Sequence, residues 1–594
     1  MRTLTVLIAA FFMAGACAPP PAAVSKTEAE RKAPEAESLG DLSWTKGAMV
    51  AAADPRAVEA GLRILRQGGS AIDAAIAVHA VLGLVEPQSS GIGGGAFLVY
   101  YDRARDEMTV FDGRETAPAA TTPDLFLRED GETMGFIEAW QSGRSVGVPG
   151  QVALYKAAHE AGGKASWASL FQPAIELAET GFEVSPRLAE LLSSPRLRAV
   201  IRLDDNPVTA AYFYPDGEPL PEGYRRTNPA YAATLAAIAQ EGPSAFYRGS
   251  IAAEIVAATN EGPDGGALTL EDLANYKVAV REPLCGRIQS GYRICSAPPP
   301  SSGGIVQTMI MGLYDQLKPS ARINADPAMR LKAFVDAQRL AYADRDHYVA
   351  DGDFVTVPAA ELMHPDYLIA RAAEAFAPDE KVFPGDPGLV LGGEAMRPMW
   401  GEDPTTPGAG TTHISIIDLE GNAVTMTATV ESAFGSSRMA GGFLLNNELT
   451  DFALTPEVGG KPVANAPAAG KRPRSSMSPT LVFDEAGDLF MVTGSPGGNS
   501  IVAYVAKTLV GVLEWNQSAQ EAVAMPNIIA RGNRIGVEID VEGGPEAAEA
   551  LRGMGYDVEE RTGENSGLHV IVVRDIGLEG AADPRREGVA LSLR

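Results

Sequence analysis

Helical and strand periodicities alternate along most of the chain. Residues 96–101 (AFLVYY) and 108–112 have the composition of strands, and strand patterns dominate after position 411. Apolar residues recur at helical spacing in several other stretches, namely 55–67, 71–84, 151–161, 167–179, 186–192, 328–344 and 501–513. Helices followed by central strands and further helices predict a layered α/β sandwich, and we expect one folded unit because no strong linker interrupts the pattern.

The best-defined local pattern is a β-hairpin in the second half of the chain. Residues 413–418 (HISIID) and 422–430 (NAVTMTATV) are predicted strands, joined by a short loop in which Gly421 takes the position that needs φ > 0. Pairing Asp418 with Asn422 fixes the register and places Thr411 opposite Thr429. Residues that face each other in this way have Cβ atoms about 4.5–5.5 Å apart, so Thr429 is expected to hold the hydroxyl or amine of Thr411 in place.

Thr411 is the candidate catalytic residue. It follows Gly410 in the run Gly-Thr-Thr-His, a junction that suits a protein that cuts itself and then uses the exposed threonine as its nucleophile. A free N-terminal threonine carries its own base, because its α-amino group, with a pKa of about 7.7–8.0, belongs to the same residue as the hydroxyl. The alternative is that Thr411 and Thr429 are ordinary strand threonines.

The composition supports a large folded body and limits its partners. The 594 residues are 45% hydrophobic with a mean hydropathy of -0.02, which is enough for an extensive core. The net charge of -27 argues against nucleic acid and anionic membrane surfaces as partners, although solubility alone also explains it. The six histidines show no metal-binding spacing, so we expect no metal site.

The N-terminus has the features of an export signal. Arg2 precedes an apolar run at 4–13 and small residues at 14–16, a segment too short to span a bilayer. We therefore predict a signal peptide at 1–16 and a Pro/Ala/Glu-rich tether at 17–44. Cys17 is positioned like a lipidated cysteine, and plain cleavage after Ala16 is the alternative; in both cases we expect export to the periplasm.

Cysteines and glycines carry further structural expectations. Cys285 and Cys295 flank a turn at 290–291 between two strand patterns, so a disulfide is expected in an oxidising compartment, with two buried thiols as the alternative. The glycines of 494–498 (GSPGG) either point backbone N–H groups at an oxyanion or form a tight turn after a strand. The run 91–95 (GIGGG) follows a helix and precedes a strand, the reverse of a dinucleotide-binding loop.

Ordered motifs along nearly the whole chain point to one family. From about residue 47 to residue 586 the sequence resembles the γ-glutamyltranspeptidases, which are N-terminal-nucleophile hydrolases. The motifs that carry the resemblance are ILRQGGSAIDAAIAV, EPQSSGIGGGAF, FDGRETAP, GVPG, PPPSSGG, AYADRDHY, TTHISIID, GFLLNNELTDF, KRPRSSMSPT, TGSPGG and ADPRR.

The resemblance implies a fold, an activation step and a class of substrate. It implies a four-layer αββα sandwich, self-cleavage between Gly410 and Thr411, and pairing of a large chain (45–410) with a small catalytic chain (411–594). It further implies that glutathione and other γ-glutamyl compounds are substrates, that amino acids or peptides are acceptors, and that no cofactor is needed.

Individual positions also match the family's functional residues. The family's arginine for the substrate α-carboxylate falls on Arg114, and a guanidinium matches a carboxylate bidentately. The resemblance makes Thr411 the nucleophile and Thr429 its supporting threonine. The remaining matches are Ser475 and Ser476 for the α-carboxylate, Glu448 and Asp451 for the α-amino group, and Gly497 and Gly498 for the oxyanion.

The chain departs from the family pattern in two places. Glu431 stands where the family often has asparagine, so it either joins Glu448 and Asp451 near the substrate ammonium or turns away. Clustered like charges raise a pKa, so one of three such carboxylates is expected to be protonated. The stretch 453–474 is short and has no aromatic residue, which predicts a reduced lid and a wetter site.

Two other functions stay open from the sequence. A β-lactam side-chain acylase belongs to the same superfamily, although the carboxylate of Asp451 has no use for a glutaryl side chain. An exported binding protein without catalysis would keep the fold and remain uncut, and the intact Thr411, Thr429 and glycines weigh against it.

Overall fold

A computed structural model describes residues 44–262, 265–318, 326–374, 376–403, 405, 408 and 410–593. The predicted signal peptide (1–16), Cys17 and the predicted tether up to residue 43 lie outside the described residues.

Within the described residues, the strands are β1 (Ala48–Ala52), β2 (Gly95–Asp102), β3 (Glu107–Asp112), β4 (Phe182–Glu183), β5 (Arg225–Arg226), β6 (Ala279–Arg281), β7 (Leu284–Arg287), β8 (Arg293–Ser296), β9 (Gly410–Ile417), β10 (Ala423–Glu431), β11 (Met439–Ala440), β12 (Phe443–Leu444), β13 (Glu457–Val458), β14 (Lys461–Pro462), β15 (Thr480–Phe483), β16 (Leu489–Gly494), β17 (Ile528–Ile529), β18 (Arg534–Glu538), β19 (Asp557–Arg561), β20 (His569–Arg574), β21 (Gly577–Ala582) and β22 (Val589–Leu593). The α-helices are α1 (Pro55–Arg66), α2 (Ala71–Val85), α3 (Phe136–Gln141), α4 (Gln151–Gly162), α5 (Gln172–Thr180), α6 (Pro186–Ser193), α7 (Pro195–Ile201), α8 (Pro207–Phe213), α9 (Pro229–Glu241), α10 (Ser244–Tyr247), α11 (Gly249–Asn260), α12 (Leu270–Asn275), α13 (Gly303–Leu317), α14 (Pro327–Tyr348), α15 (Ala359–Leu362), α16 (Pro365–Ala372), α17 (Pro387–Val390), α18 (Ile501–Leu513), α19 (Ala519–Ala524) and α20 (Gly544–Gly553).

Two antiparallel sheets pack face to face at the centre of the molecule. The first has the strand order β22-β1-β9-β10-β2-β3-β6, and the second has the order β21-β20-β16-β15-β8-β7. Alternate residues of β1 point to opposite sides, so Met49 and Ala51 pack between the sheets while Val50 and Ala52 pack outward. Both faces of the first sheet are therefore buried at its central strands.

Helices cover the outer face of each sheet. Residues of α1, α2, α4, α5 and α9 share one apolar core with the first sheet, and residues of α13, α14, α16 and α18 share a second core with both sheets. Every residue of α2 is buried, which explains why its sequence is apolar on all sides. The result is the four-layer αββα arrangement that the family resemblance predicts.

The hairpin forms in the predicted register. β9 and β10 pair so that Thr411 lies opposite Thr429. The Asp418 N–H donates to the Asn422 carbonyl oxygen over 3.0 Å, and Gly421 has a φ of 83° in the loop, as the turn requires. On the inner face of this hairpin, Ser415 Oγ donates to the His569 carbonyl oxygen of the second sheet over 3.0 Å.

Most of the predicted elements are confirmed with small shifts at their ends. The predicted helix at 167–179 is wrong in its first third, since Trp167–Phe171 forms a 3-10 helix and the α-helix begins at Gln172. Pro173 lies in the first turn of α5, where its missing N–H costs no hydrogen bond.

The two cysteines of the chain's middle region occupy adjacent strands. Cys285 on β7 and Cys295 on β8 face each other, with Cα atoms 4.1 Å apart, and a disulfide joins them. The bond ties the edge strand of the second sheet to its neighbour.

The packing of the two sheets behind Thr411 leaves no room for another methyl group. A Cβ atom on Gly494 would lie 2.2 Å from Cε1 of the His413 ring. We expect Gly494→Ala to destabilise the fold by about 1–3 kcal/mol, because overpacking forces the sheets apart. Thermal melting checks this, with Gly553→Ala as the matched control, since nothing lies within 4 Å of the added methyl there. Equal melting temperatures for the two variants would contradict the close packing.

Candidate active site

Two threonine hydroxyls meet at the end of the β9–β10 hairpin. Thr429 Oγ1 lies 3.1 Å from Thr411 Oγ1 and donates to the Gly410 carbonyl oxygen over 2.5 Å. It also accepts the backbone N–H of Glu431 over 2.8 Å, because a β-bulge between Thr429 and Glu431 turns that N–H inward. One hydroxyl therefore contacts both the candidate nucleophile and the carbonyl of the preceding peptide bond.

A small cavity adjoins this pair of threonines and collects the predicted site residues. All of the predicted catalytic and substrate-binding residues except Gly497 line it: Arg114, Thr411, Thr429, Glu431, Glu448, Asp451, Ser475, Ser476 and Gly498. Other lining residues are Arg345, Gly408, Arg474, Met477, Asn499 and Ile501. Because Gly408 belongs to the segment just before Thr411, the chain itself fills part of the cavity.

Arg114 is buried and already paired with acidic side chains. Its guanidinium donates to the carboxylates of Glu448 and Asp451. The same group donates to the carbonyl oxygens of Pro473, over 3.2 Å, and Arg474, over 2.8 Å. In this state the guanidinium predicted to hold a substrate carboxylate is occupied by protein carboxylates.

The predicted serine pair lies beside two further polar groups. Ser476 Oγ donates to Asn499 Oδ1 over 3.1 Å and accepts a hydrogen bond from the Arg345 guanidinium. Burial, together with the positive charge of Arg474, lowers the pKa of Arg345 to about 10. Ser475 Oγ accepts the Met477 N–H over 3.1 Å, which holds the serine turn in shape.

The glycine turn before α18 has two successive residues with positive φ. Gly497 and Gly498 have φ angles of 131° and 56°, values that favour glycine. Among the hydrogen bonds of the described residues, neither N–H serves as a donor. These two N–H groups are therefore free to stabilise an oxyanion.

The acidic residues of the site have raised pKa values. Burial raises the pKa of Glu448 and of Asp451. Burial, together with the charges of Asp451 and Glu448, raises the pKa of Glu431 to about 8. Its carboxylate accepts hydrogen bonds from Gly408, Ser432 and Asn447, so Glu431 faces the cavity rather than turning away.

Asn465, in the stretch 453–474, makes two hydrogen bonds to the backbone beside the site. Asn465 Nδ2 donates to the Asp451 carbonyl oxygen over 2.7 Å, and Asn465 Oδ1 accepts the Arg474 N–H over 2.9 Å. The stretch therefore fixes the backbone on both sides of the Arg114 pairing.

Sequence reasoning missed several residues that the fold brings to the cavity. Arg345 and Arg474 lie in the motifs AYADRDHY and KRPRSSMSPT, and Asn499 directly follows TGSPGG, but nothing in their local pattern indicates a role. Arg586, in ADPRR, donates to the Thr411 carbonyl oxygen over 2.9 Å. The sequence signal that could have found these residues is their position within, or directly after, a motif that carries the family resemblance.

No metal site is evident in the described part of the chain, where no group of three or more His, Cys, Asp or Glu side chains is arranged to hold an ion.

The buried Glu115 predicts a pH dependence of stability. Burial raises its pKa to about 8, and neither carboxyl oxygen has a hydrogen-bond partner among the described residues. The folded state thus binds a proton more tightly than the unfolded state, so the free energy of unfolding should fall as the pH rises from about 4.5 to about 8. Melting temperatures across this range should show the fall, and Glu115→Gln should reduce its slope. The exposed Glu129→Gln is the control, and an identical slope in both variants would refute the assignment.

Comparison with known proteins agrees with this geometry. The model of the gamma-glutamyltranspeptidase family matches residues 57–593. The chain is 34% identical to the glutathione hydrolase proenzyme of Bacillus subtilis (strain 168), over 99% of this chain and 98% of the relative. It is 35% identical to the glutathione hydrolase proenzyme of Escherichia coli (strain K12), over 91% and 90% of the two chains.

A solved structure shares the same fold along its whole length. The cephalosporin acylase from Bacillus halodurans superposes with a TM-score of 0.79 at 25% identity, covering 92% of this chain and 96% of that one. Family model, full-length relatives and fold agree, and the chain belongs to the gamma-glutamyltranspeptidase family.

Proposed function

We propose that the protein is a γ-glutamyltransferase and glutathione hydrolase that frees Thr411 by cutting its own chain after Gly410. The observation that carries the proposal is the position of Thr429 Oγ1, 3.1 Å from Thr411 Oγ1 and 2.5 Å from the Gly410 carbonyl oxygen. The products are a large chain that ends at Gly410 and a small chain (411–594), and the two stay paired.

Self-cleavage begins at the Gly410–Thr411 peptide bond. Thr411 Oγ attacks the Gly410 carbonyl carbon, and the Thr429 hydroxyl, which already donates to that oxygen, stabilises the charge that develops there. The C–N bond breaks as the nitrogen takes the proton from the attacking hydroxyl, which leaves an ester and a free amine. Water then hydrolyses the ester to the Gly410 carboxylate and the Thr411 hydroxyl.

The freed Thr411 then acts on γ-glutamyl amides such as glutathione. Its α-amino group removes the hydroxyl proton as Oγ attacks the γ-carbonyl carbon, and the Gly497 and Gly498 N–H groups stabilise the oxyanion. The leaving amine takes the proton, and a γ-glutamyl ester remains on Thr411. Water resolves the ester in hydrolysis, and the amine of an acceptor amino acid or peptide resolves it in transfer.

The pairing of Arg114 supports recognition of an α-amino acid head group. A zwitterion placed between Arg114 and its two acidic partners gives its carboxylate to the guanidinium and its ammonium to Glu448 and Asp451. Both ion pairs of the empty site are thereby replaced by equivalent ones. A substrate with only the carboxylate leaves the acidic side chains without a partner, which costs free energy in a buried site.

Export is proposed on the signal at 1–16. The disulfide between Cys285 and Cys295 supports it, because such bonds persist in oxidising compartments. None of the helices in the described residues is long and apolar enough to cross a membrane. The mass of the purified large chain distinguishes a lipidated Cys17 from plain cleavage after Ala16.

Intact masses test the nucleophile. Wild-type protein should yield two chains, the small one beginning at Thr411, whereas Thr411→Ala should remain one chain without hydrolase activity. Thr411→Ser should be cut and active at a reduced rate, since it keeps a hydroxyl. Thr412→Val is the control, because the Thr412 hydroxyl has no hydrogen-bond partner in the described structure. An uncut wild-type chain would instead favour the exported binding protein.

A side-chain acylase remains the alternative, because the chain shares its fold with a cephalosporin acylase. A pair of chromogenic substrates distinguishes the two activities. Wild-type protein should prefer γ-glutamyl-p-nitroanilide over glutaryl-p-nitroanilide, which lacks the ammonium. Asp451→Asn should lower kcat/KM for the first about 10–100-fold and leave the second nearly unchanged. A preference for the glutaryl compound, unaffected by Asp451→Asn, would support the acylase.

A further inference from the structure

The segment that ends at Gly410 is seated unusually close to β10. A Cβ atom on Gly408 would lie 2.2 Å from Ser432 Oγ, and one on Gly410 would lie 2.5 Å from the Ser432 carbonyl oxygen. Neither position has room for a side chain without movement of the segment. The two glycines thus allow the chain to pass directly over Glu431 and Ser432.

Glu431 is a cavity carboxylate that makes a side-chain hydrogen bond to the described part of this segment. Its Oε1 accepts the Gly408 N–H over 2.7 Å, while its Oε2 accepts from Ser432 Oγ and Asn447 Nδ2. Ser432 N in turn donates to Asn447 Oδ1 over 2.9 Å, which orients the amide. The carboxylate is therefore fixed through Oε2 and holds the segment through Oε1.

The backbone of Glu431 is strained into this position. Its φ is 78°, in the left-handed region that a residue with a side chain rarely adopts, and the β-bulge after Thr429 immediately precedes it. Strain of this kind persists where a function needs the geometry. Here it aims the carboxylate at Gly408 and the Glu431 N–H at Thr429 Oγ1.

We infer that Glu431 is a positioning residue for self-cleavage. By holding the Gly408 N–H, its carboxylate keeps the Gly410 carbonyl oxygen on the Thr429 hydroxyl and the carbonyl carbon within reach of Thr411 Oγ. This inference rests on the proposed function, because it adds the hydrogen bond between Gly408 and Glu431 as a requirement for the proposed self-cleavage. Asparagine at this position is one methylene shorter, so the contact with Gly408 depends on the glutamate of this chain.

The same carboxylate serves a second partner once the chain is cut. The Gly410 end is then no longer tethered to Thr411, and departure of the Gly408 N–H exposes Oε1 to the cavity that Glu448 and Asp451 also line. A substrate ammonium can then donate where the backbone amide did. Glu431 thus holds a chain N–H before the cut and a substrate N–H after it.

Cell-free synthesis tests the inference, because the conversion of full chain to two fragments can be timed after translation is stopped. Weakening or removing the acceptor of the Gly408 N–H should slow this conversion, by about tenfold in Glu431→Gln, which keeps an acceptor oxygen, and by about 100-fold in Glu431→Ala. Gly408→Ala, which pushes the segment off Ser432, should also slow it by at least about tenfold. Glu457→Gln, which changes an exposed glutamate outside the cavity, is the matched control and should stay within about twofold of wild type.

A purely structural role for Glu431 makes different predictions. A positioning role predicts that Glu431→Gln is cleaved faster than Glu431→Ala even when the uncut chains of the two variants have equal melting temperatures. A purely structural role predicts that cleavage slows only where the melting temperature falls. At saturating substrate, kcat per free Thr411 N-terminus should fall far less than the cleavage rate in Glu431→Gln, because the lost contact with the substrate ammonium acts on KM; this separates positioning of the cut from turnover.

Two results would overturn the inference. One is cleavage of folded Glu431→Ala at the wild-type rate. The other is cleavage of Gly408→Ala at the wild-type rate, and this result decides the matter if Glu431→Ala does not fold. Failure of the proposed function looks different, because the wild-type chain itself would then not be cut between Gly410 and Thr411.

Discussion

The chemistry of this protein depends on the pairing of two antiparallel strands. Because β9 and β10 pair in one register, Thr411 and Thr429 face each other, and a slip of one strand by one residue would leave the two hydroxyls on opposite faces of the sheet. The Asp418–Asn422 turn sets that register from the far end of the hairpin. Face-to-face packing of the second sheet then fixes the inner side chains, as the 3.0 Å hydrogen bond from Ser415 to His569 illustrates. A local turn thus determines the geometry of the proposed catalytic pair about 20 Å away, at the usual rise per strand residue.

Charge balance is the second constraint on the site. Arg114 is 1% exposed, and an isolated guanidinium at that depth would be costly, so the fold supplies Glu448, Asp451 and two backbone carbonyls as partners. The same balance makes the site selective, since a ligand that enters must replace both signs of charge together. The raised pKa values of the surrounding carboxyls reflect the same burial. Stability of the empty site and the proposed recognition of a zwitterion would therefore have one physical origin.

The sequence predicts the local parts of this structure better than the distant ones. Strand patterns, a glycine in the loop and the Asp418–Asn422 pair were sufficient for the hairpin and its register. The resemblance to a known family supplied Arg114, Asp451 and the serines, whose convergence no local pattern contains. Arg345 reaches Ser476 from α14, across 131 positions of sequence, and no periodicity encodes such a contact. The hydrogen bond between Glu431 and Gly408 depends on a β-bulge and on the positive φ of Glu431, and the alternation of residues in a strand indicates neither of them.

The order of strands in the first sheet, β22-β1-β9-β10-β2-β3-β6, has a consequence for the fate of a cut chain. After a break between Gly410 and Thr411, β22, β9 and β10 would belong to one polypeptide and their neighbours β1 and β2 to the other, so the two polypeptides would interleave within a single sheet. Neither polypeptide could dissociate without breaking the hydrogen bonds between strands of the shared sheet, which covers the core of its partner. Strands that first paired as parts of one chain would have to find each other again as separate molecules after denaturation. Maturation would therefore convert a protein that folds alone into an assembly that forms once and is not readily rebuilt.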